Sequence, residues 1–235
     1  MSVPIATSPG RGGFGPPLSV SYDSGAGNGI FGLGWNLSIP SIGRKTDKDL
    51  PRYWDEAEPD VFMLSGAEDL VPVLKADGSR KVLDSPDGLF KICHYRPRIE
   101  GLFARIERWT EVDSGEIHWR SISKDNITRL YGQTKESRIF DPTDPTHVFT
   151  WLICESYDNR GNVIRYQYKA EDSVGISVVQ TLSCGLDTWP IFLRTFCTIS
   201  CISYPSCAFV LLISTLKDGY ISCILSTLKM SRLLW

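Results

Sequence analysis

The residues whose types and spacing could do chemistry form a short set. Gly27-Asn28-Gly29-Ile30-Phe31-Gly32 fits the G-x-G-x-x-G pattern of a dinucleotide loop. That chemistry needs a helix N-terminus after the glycines, so that free N–H groups meet the pyrophosphate. Leu33-Gly34-Trp35-Asn36-Leu37-Ser38-Ile39-Pro40 follows instead, and Gly, strand alternation and Pro deny a helix. Gly10-Arg11-Gly12-Gly13-Phe14-Gly15 lacks the Gly-Lys-Ser/Thr ending of a phosphate loop. Glu56-Ala57-Glu58 has the Glu-x-Glu form of one type of ADP-ribosyl transfer, but too little chain precedes it to supply the Arg and the Ser-Thr-Ser strand that grip NAD. Asp55, Glu56, Glu58 and Asp60 have the oxygen count for Ca²⁺ without a spacing that fixes its geometry, so they read as a solvated loop. His94, His118 and His147 each stand alone, and each reads as structural. Cys93 and His94 are sequence neighbours, so in a strand they point to opposite faces and cannot form a nucleophile–base pair. Ser65-Gly66 lacks the preceding Gly of a nucleophile elbow. Asn36-Leu37-Ser38 and Asn126-Ile127-Thr128 fit the glycosylation sequon at a frequency near chance. The expected catalytic, cofactor-binding and metal-binding residues are therefore none.

Trp109, Trp119, Tyr131 and Trp151 sit among Arg and Asp residues at strand positions. They read first as core and sheet-edge filling, and second as sugar contacts. A carbohydrate-binding β-module is thus the alternative functional reading.

The elements that must position these residues are strands. Leu18–Tyr22 forms a short strand, and Trp35, Leu37 and Ile39 alternate with Asn36 and Ser38. Val61–Leu64 and Val71–Leu74 read as paired strands across Ser65-Gly66-Ala67-Glu68-Asp69, and Lys75-Ala76-Asp77-Gly78-Ser79 as a turn. Leu89–Tyr95, Leu102–Trp109, Glu116–Ser123 and Ile127–Tyr131 follow. Val148–Ser156 and Asn162–Tyr168 then flank a hairpin turn with Gly161 in the left-handed position. No amphipathic helix precedes residue 175. The fold class is all-β, with many short antiparallel strands in a layered sheet.

A run of residues carries a resemblance. It is G-N-G-x-F-G-x-G-W-x-L-x-x-P-x-I-x-R-K-T-D over residues 27–47, then Leu50-Pro51-Arg52-Tyr53 and Asp60–Leu74. It continues through Tyr95–Glu107, His118-Trp119-Arg120-Ser121, Asp125–Thr128, Tyr131-Gly132 and Trp151–Asp158. Residues 3 to about 175 resemble the N-terminal domain shared by plasmid virulence protein B and the B component of insecticidal toxin complexes. Asp49 departs from that pattern, which has Gly before Leu-Pro. The resemblance implies a truncated part of a toxin shell, built with a C component around a toxic effector. The pore-forming A component would be met through parts missing here. The transferase domain of plasmid virulence protein B is a separate C-terminal unit, so the resemblance implies no enzyme and no cofactor.

Domain organisation follows from composition. Residues 1–17 are Gly/Pro-rich and read as a flexible arm, residues 18–175 as the β-rich domain, and residues 176–235 as a tail outside the family. The chain carries 25 Lys and Arg and 27 Asp and Glu. Only Asp187, Arg194, Lys217, Asp218, Lys229 and Arg232 fall after Gly175. Cys184, Cys197, Cys201, Cys207 and Cys223 cluster there, with spacings that suit no zinc ribbon. Three readings of the tail stand. It is a shifted frame or intron read-through, which is preferred; a membrane span over 195–216; or a genuine folded extension. A net charge of −2 argues against a nucleic-acid partner. MSVPIATSPGRGGFGPP lacks the features of a secretory signal, so the expected location is extracellular by another route, or cytoplasmic before release.

Overall fold

The structure, a computed structural model, describes residues 1–7, 10–25, 28–29, 31–47, 49–55, 60–66 and 68–169. It also describes the backbone of 196–203, 207–215 and 221–228. Its strands begin with β1 (Ser2–Pro4), β2 (Ser19–Tyr22), β3 (Asn28–Gly29), β4 (Gly32–Leu33), β5 (Trp35–Leu37) and β6 (Ser41–Arg44). Next come β7 (Phe62–Leu64), β8 (Glu68–Pro72), β9 (Val82–Asp84), β10 (Phe90–Pro97), β11 (Arg105–Glu111) and β12 (Ile117–Ile122). β13 (Thr128–Tyr131), β14 (Arg138–Asp141), β15 (Asp144–Tyr157), β16 (Val163–Lys169), β17 (Phe196–Ser203), β18 (Cys207–Thr215) and β19 (Ile221–Leu228) complete the order.

The fold is all-β, and its main sheet closes on itself. β6, β7, β8, β10, β11, β12, β13 and β15 follow one another as antiparallel neighbours, and β15 returns to β6, forming an eight-stranded barrel. The long strand β15 makes the closure. Its Thr150–Leu152 pair with β6, and residues between Ile153 and Tyr157 pair with β13. Period-2 alternation fills the inside. Ile106 on β11 and Trp119 on β12 are fully buried in one cluster, whereas Arg105 and Arg120 are not buried. Phe62 sits at the centre of that cluster, with its ring centroid 4.9 Å from Trp119, 5.8 Å from Trp151 and 5.9 Å from Tyr95. These edge-on contacts close the interior as packed core rather than as a channel.

Two strand sets extend beyond the barrel. β1, β2 and β5 form a small antiparallel sheet, so part of the expected N-terminal arm is paired strand. β16 leaves β15 and carries the main sheet onward through β17, β18 and β19, all antiparallel. The segment 195–216 considered as a membrane span contains β17 and β18 over its described part, and none of the described helices is long and apolar enough to cross a membrane. The boundary at 175 lies outside the described residues.

Most expected strands are present, with shifted ends. β8 begins at Glu68 rather than Val71, and β11 begins at Arg105 rather than Leu102. β14 has no counterpart among the expected strands, because Arg138–Asp141 shows no alternation and takes its strand form from pairing with β15. Tyr53, Ser65, Phe103 and Asn126 are the described non-glycine residues with positive φ, so Asp49 needs no left-handed conformation.

Candidate functional site

One polar cluster lies at one end of the barrel, around Arg44. Ile42 and Arg44 share the inward face of β6, and Arg44 is 2% exposed. A buried guanidinium requires partners, and the loop after β6 supplies them. Nη1 and Nη2 donate to Asp55 at 2.7 Å each, Nη1 donates to Asp60 at 2.8 Å, and Nε donates to the Val148 carbonyl at 2.8 Å. Burial pulls the Arg44 pKa down, but bonds and charge from Asp55 and Asp60 outweigh it and raise it overall. Burial alone would raise Asp60. The backbone N–H groups of Arg52 and Tyr53, with Arg44, hold its carboxyl below the ordinary range instead. The guanidinium carbon lies 4.7, 5.2 and 5.3 Å from the ring centroids of Tyr53, Phe62 and Trp151. Tyr53 also stacks on His147 at 4.4 Å.

A second cluster lies on the outer face of β11 and β12. Glu107 is fully buried, accepting from Trp109 Nε1 at 2.9 Å and Arg120 Nε at 2.8 Å, and pairing with Arg105. These groups hold its pKa below the usual range against the upward pull of burial. His118 lies beside Trp109 and Phe90 at ring distances of 5.8 and 5.4 Å. Burial first, then the charges of Arg138 and Arg120, push it down to about 4, so at neutral pH it is an uncharged packing group.

The other end of the β6–β7 pair opens into a cavity of about 300 Å³ lined by Pro40, Leu64, Ala104, Leu102, Ser121 and Tyr131, among others. Tyr131 Oη and the Ser121 hydroxyl, 3.2 Å apart, satisfy each other.

Among the described residues, those singled out by sequence do not gather into one reactive cluster. Trp119, Trp151 and Tyr131 are 0%, 0% and 2% exposed, so they are core and do not form a sugar platform. Half-buried Trp109 carries Arg120 over its ring at 4.6 Å. Cys93 points inward and His94 outward, as their adjacency requires. In the G-x-G-x-x-G segment the described parts are the hairpin β3–β4 and then β5, not a helix. Gly27, Ile30, Glu56 and Glu58 lie outside the described residues, as do Cys184 and the side chains of the other tail cysteines. Asp55 and Asp60 serve Arg44, which corrects the reading of their loop as merely solvated. Among the described residues no three His, Cys, Asp or Glu side chains converge as a metal site would require. Sequence reasoning missed Arg44 as a buried charge. The available signal was its inward parity with Ile42, followed by an acidic loop.

The comparisons with known proteins agree with one another. Residues 1–186 match the family model described as Salmonella virulence plasmid 65kDa B protein, SpvB. A curated relative, the mono(ADP-ribosyl)transferase SpvB of Salmonella typhimurium, is 33% identical over 185 residues, covering 76% of this chain and 31% of its own length. The chain therefore spans about a third of the curated relatives it matches. The solved N-terminal domain of effector protein SpvB from Salmonella typhimurium strain LT2 aligns with a TM-score of 0.74 and 26% identity, covering 91% of this chain and 71% of that one. A crystal structure of TcdB2-TccC3 aligns with a TM-score of 0.75 and 28% identity, covering 97% of this chain and 12% of that one.

Proposed function

The chain belongs to the SpvB family, and we propose that it serves as a non-catalytic wall segment of a toxin-complex shell. One observation carries the proposal. The barrel is sealed by Trp119, Trp151 and Phe62 and by the Arg44–Asp55–Asp60 bonds, while the sheet runs on past it to β19, which among the described residues pairs with β18 alone. A sealed interior with a continuing sheet suits a building part that joins further strands. The likeness to the N-terminal domain of SpvB, and to a small share of a TcdB2-TccC3 chain, supports the same reading. Transferase activity is a property of the longer SpvB relatives, and in this reading it does not extend to the chain. The partners are a C component and, through other parts, a pore-forming A component. In this reading the chain resides in the cytoplasm before release and works outside the producing cell.

Two measurements on the purified chain test the proposal. Incubation with NAD should yield no nicotinamide above the buffer rate. Co-expression with a C component of the TccC3 type should give a co-purifying complex. NAD hydrolysis, or elution of the two chains apart at micromolar concentrations, would overturn the reading.

A further inference from the structure

Arg108 lies on the inward face of β11, registered against Cys93 of β10 on one side and Trp119 of β12 on the other. It is 6% exposed, and neither its Nε nor its Nη1 has a hydrogen-bond partner. Among the described residues, Asp55 and Asp60 pair with Arg44, and Glu107, the sequence neighbour of Arg108, pairs with Arg105 and Arg120 on the outer face. Three neighbours on the same lining share this condition: Trp119 Nε1, the Tyr95 hydroxyl and Thr110 Oγ1 are buried and unpartnered. Tyr95 and Trp119 hold their rings 5.0 Å apart, at 4% and 0% exposure.

A buried guanidinium without a counter-charge costs several kcal/mol, and buried polar atoms are nearly always paired. Arg and Trp can only donate, and Tyr and Thr can donate. The set therefore asks for an acceptor carrying one negative charge. Close walls of Tyr95 and Trp119 restrict its size. We propose that the barrel interior beside Arg108 binds one small monovalent anion, of halide or formate size, with Arg108 as the charge partner and Trp119 Nε1 and the Tyr95 hydroxyl as further donors. The anion ties β10, β11 and β12 together at the barrel end where Arg44 and its two aspartates tie β6 to its following loop. This inference stands independently of the shell reading.

The test uses the full chain in sodium gluconate, titrated with sodium chloride or sodium formate at fixed ionic strength and read as melting temperature. A saturable rise with chloride or formate is expected, and the anion that saturates at the lower concentration is the occupant. Arg108→Met should lose the rise while melting no lower than wild type in gluconate, because it removes an unpaired charge. Trp119→Phe keeps a ring, removes the N–H, and should move the titration midpoint at least several-fold higher. Wild type indifferent to both anions, or an Arg108→Met titration matching wild type, would overturn the proposal. If Arg108→Met does not fold, a Trp119→Phe midpoint equal to wild type overturns it alone.

Discussion

Gly132 and Trp151 share one space: a Cβ on Gly132 would stand 2.2 Å from Cδ1 of Trp151. Gly132 has φ +66 and follows directly on β13, where its N–H donates to the Leu152 carbonyl at 2.9 Å. The missing side chain is thus what lets the chain turn off β13 over the fully buried indole that closes the barrel.

Replacing Gly132 with Ala should therefore cost twice over. The left-handed backbone costs a side-chain-bearing residue about 1–2 kcal/mol, and forcing atoms into the packed indole adds about 1–3 kcal/mol. Gly66 supplies the control, because its φ is +71 but an added Cβ meets nothing within 4 Å. Urea denaturation should show Gly66→Ala losing only the backbone part. Equal losses at the two positions would mean that Trp151 moves aside freely.

Much of this fold is legible in the chain because period-2 alternation survives wherever one face is buried. β10, β12 and β15 fall where Leu89–Tyr95, Glu116–Ser123 and Val148–Ser156 predict them. Closure is not legible, since it depends on β15 being long enough to pair with β6 along one stretch and β13 along the next. Single-strand patterns carry no record of such a partner. The aromatics show the same limit: Trp109 and Trp119 differ in burial because their parities differ on adjoining strands, not because their local sequences differ in kind. Arg44 was hidden by chemistry, since an Arg at an inward position looks like a broken pattern until the loop carboxylates are seen to return to it.

The Arg44 network should behave as a unit. Arg44→Met leaves Asp55 and Asp60 together without their cation, at a cost of about 3–5 kcal/mol. Asp60→Asn keeps the shape and leaves Asp55 on the guanidinium, so a smaller loss of about 1–3 kcal/mol is expected. The double variant should fall short of the sum, because both changes break the same bond. Additive losses in urea melts would mean that the two residues do not act through each other.

Acid should destabilise the chain in two windows. His118 is held at about 4 in the folded state against an ordinary value near 6.5, so between those pH values the unfolded chain binds a proton that the folded chain refuses. Stability from this group is complete above about pH 6.5 and declines as pH falls towards 4, by at most about 3 kcal/mol. The lowered carboxyls of Asp60 and Glu107 then act below the ordinary carboxylate value, where their stabilisation is lost as pH falls further. His118→Phe should flatten the first window in thermal melts and leave the second. A first window of unchanged slope in that variant would remove His118 as its source.

The continuing sheet leads to an expectation about association. Among the described residues β19 pairs with β18 alone, so among them its other side has no strand partner and can template a further strand. A second adhesive feature is separate from it. The loop between β10 and β11 holds Ile99 and Phe103 at 75% and 71% exposure, with Phe103 at φ +47. Two variants divide the contributions. Ile224→Lys with Ser226→Lys places charge along the open strand, which discourages edge pairing. Phe103→Asn removes the exposed ring while keeping a residue that tolerates left-handed backbone. The wild-type chain should self-associate in light scattering at tens of micromolar. If strand addition dominates, the lysine pair reduces the associated mass far more than Phe103→Asn does. A wild-type chain that stays a single sharp monomer would remove the edge of β19 as a site of strand addition.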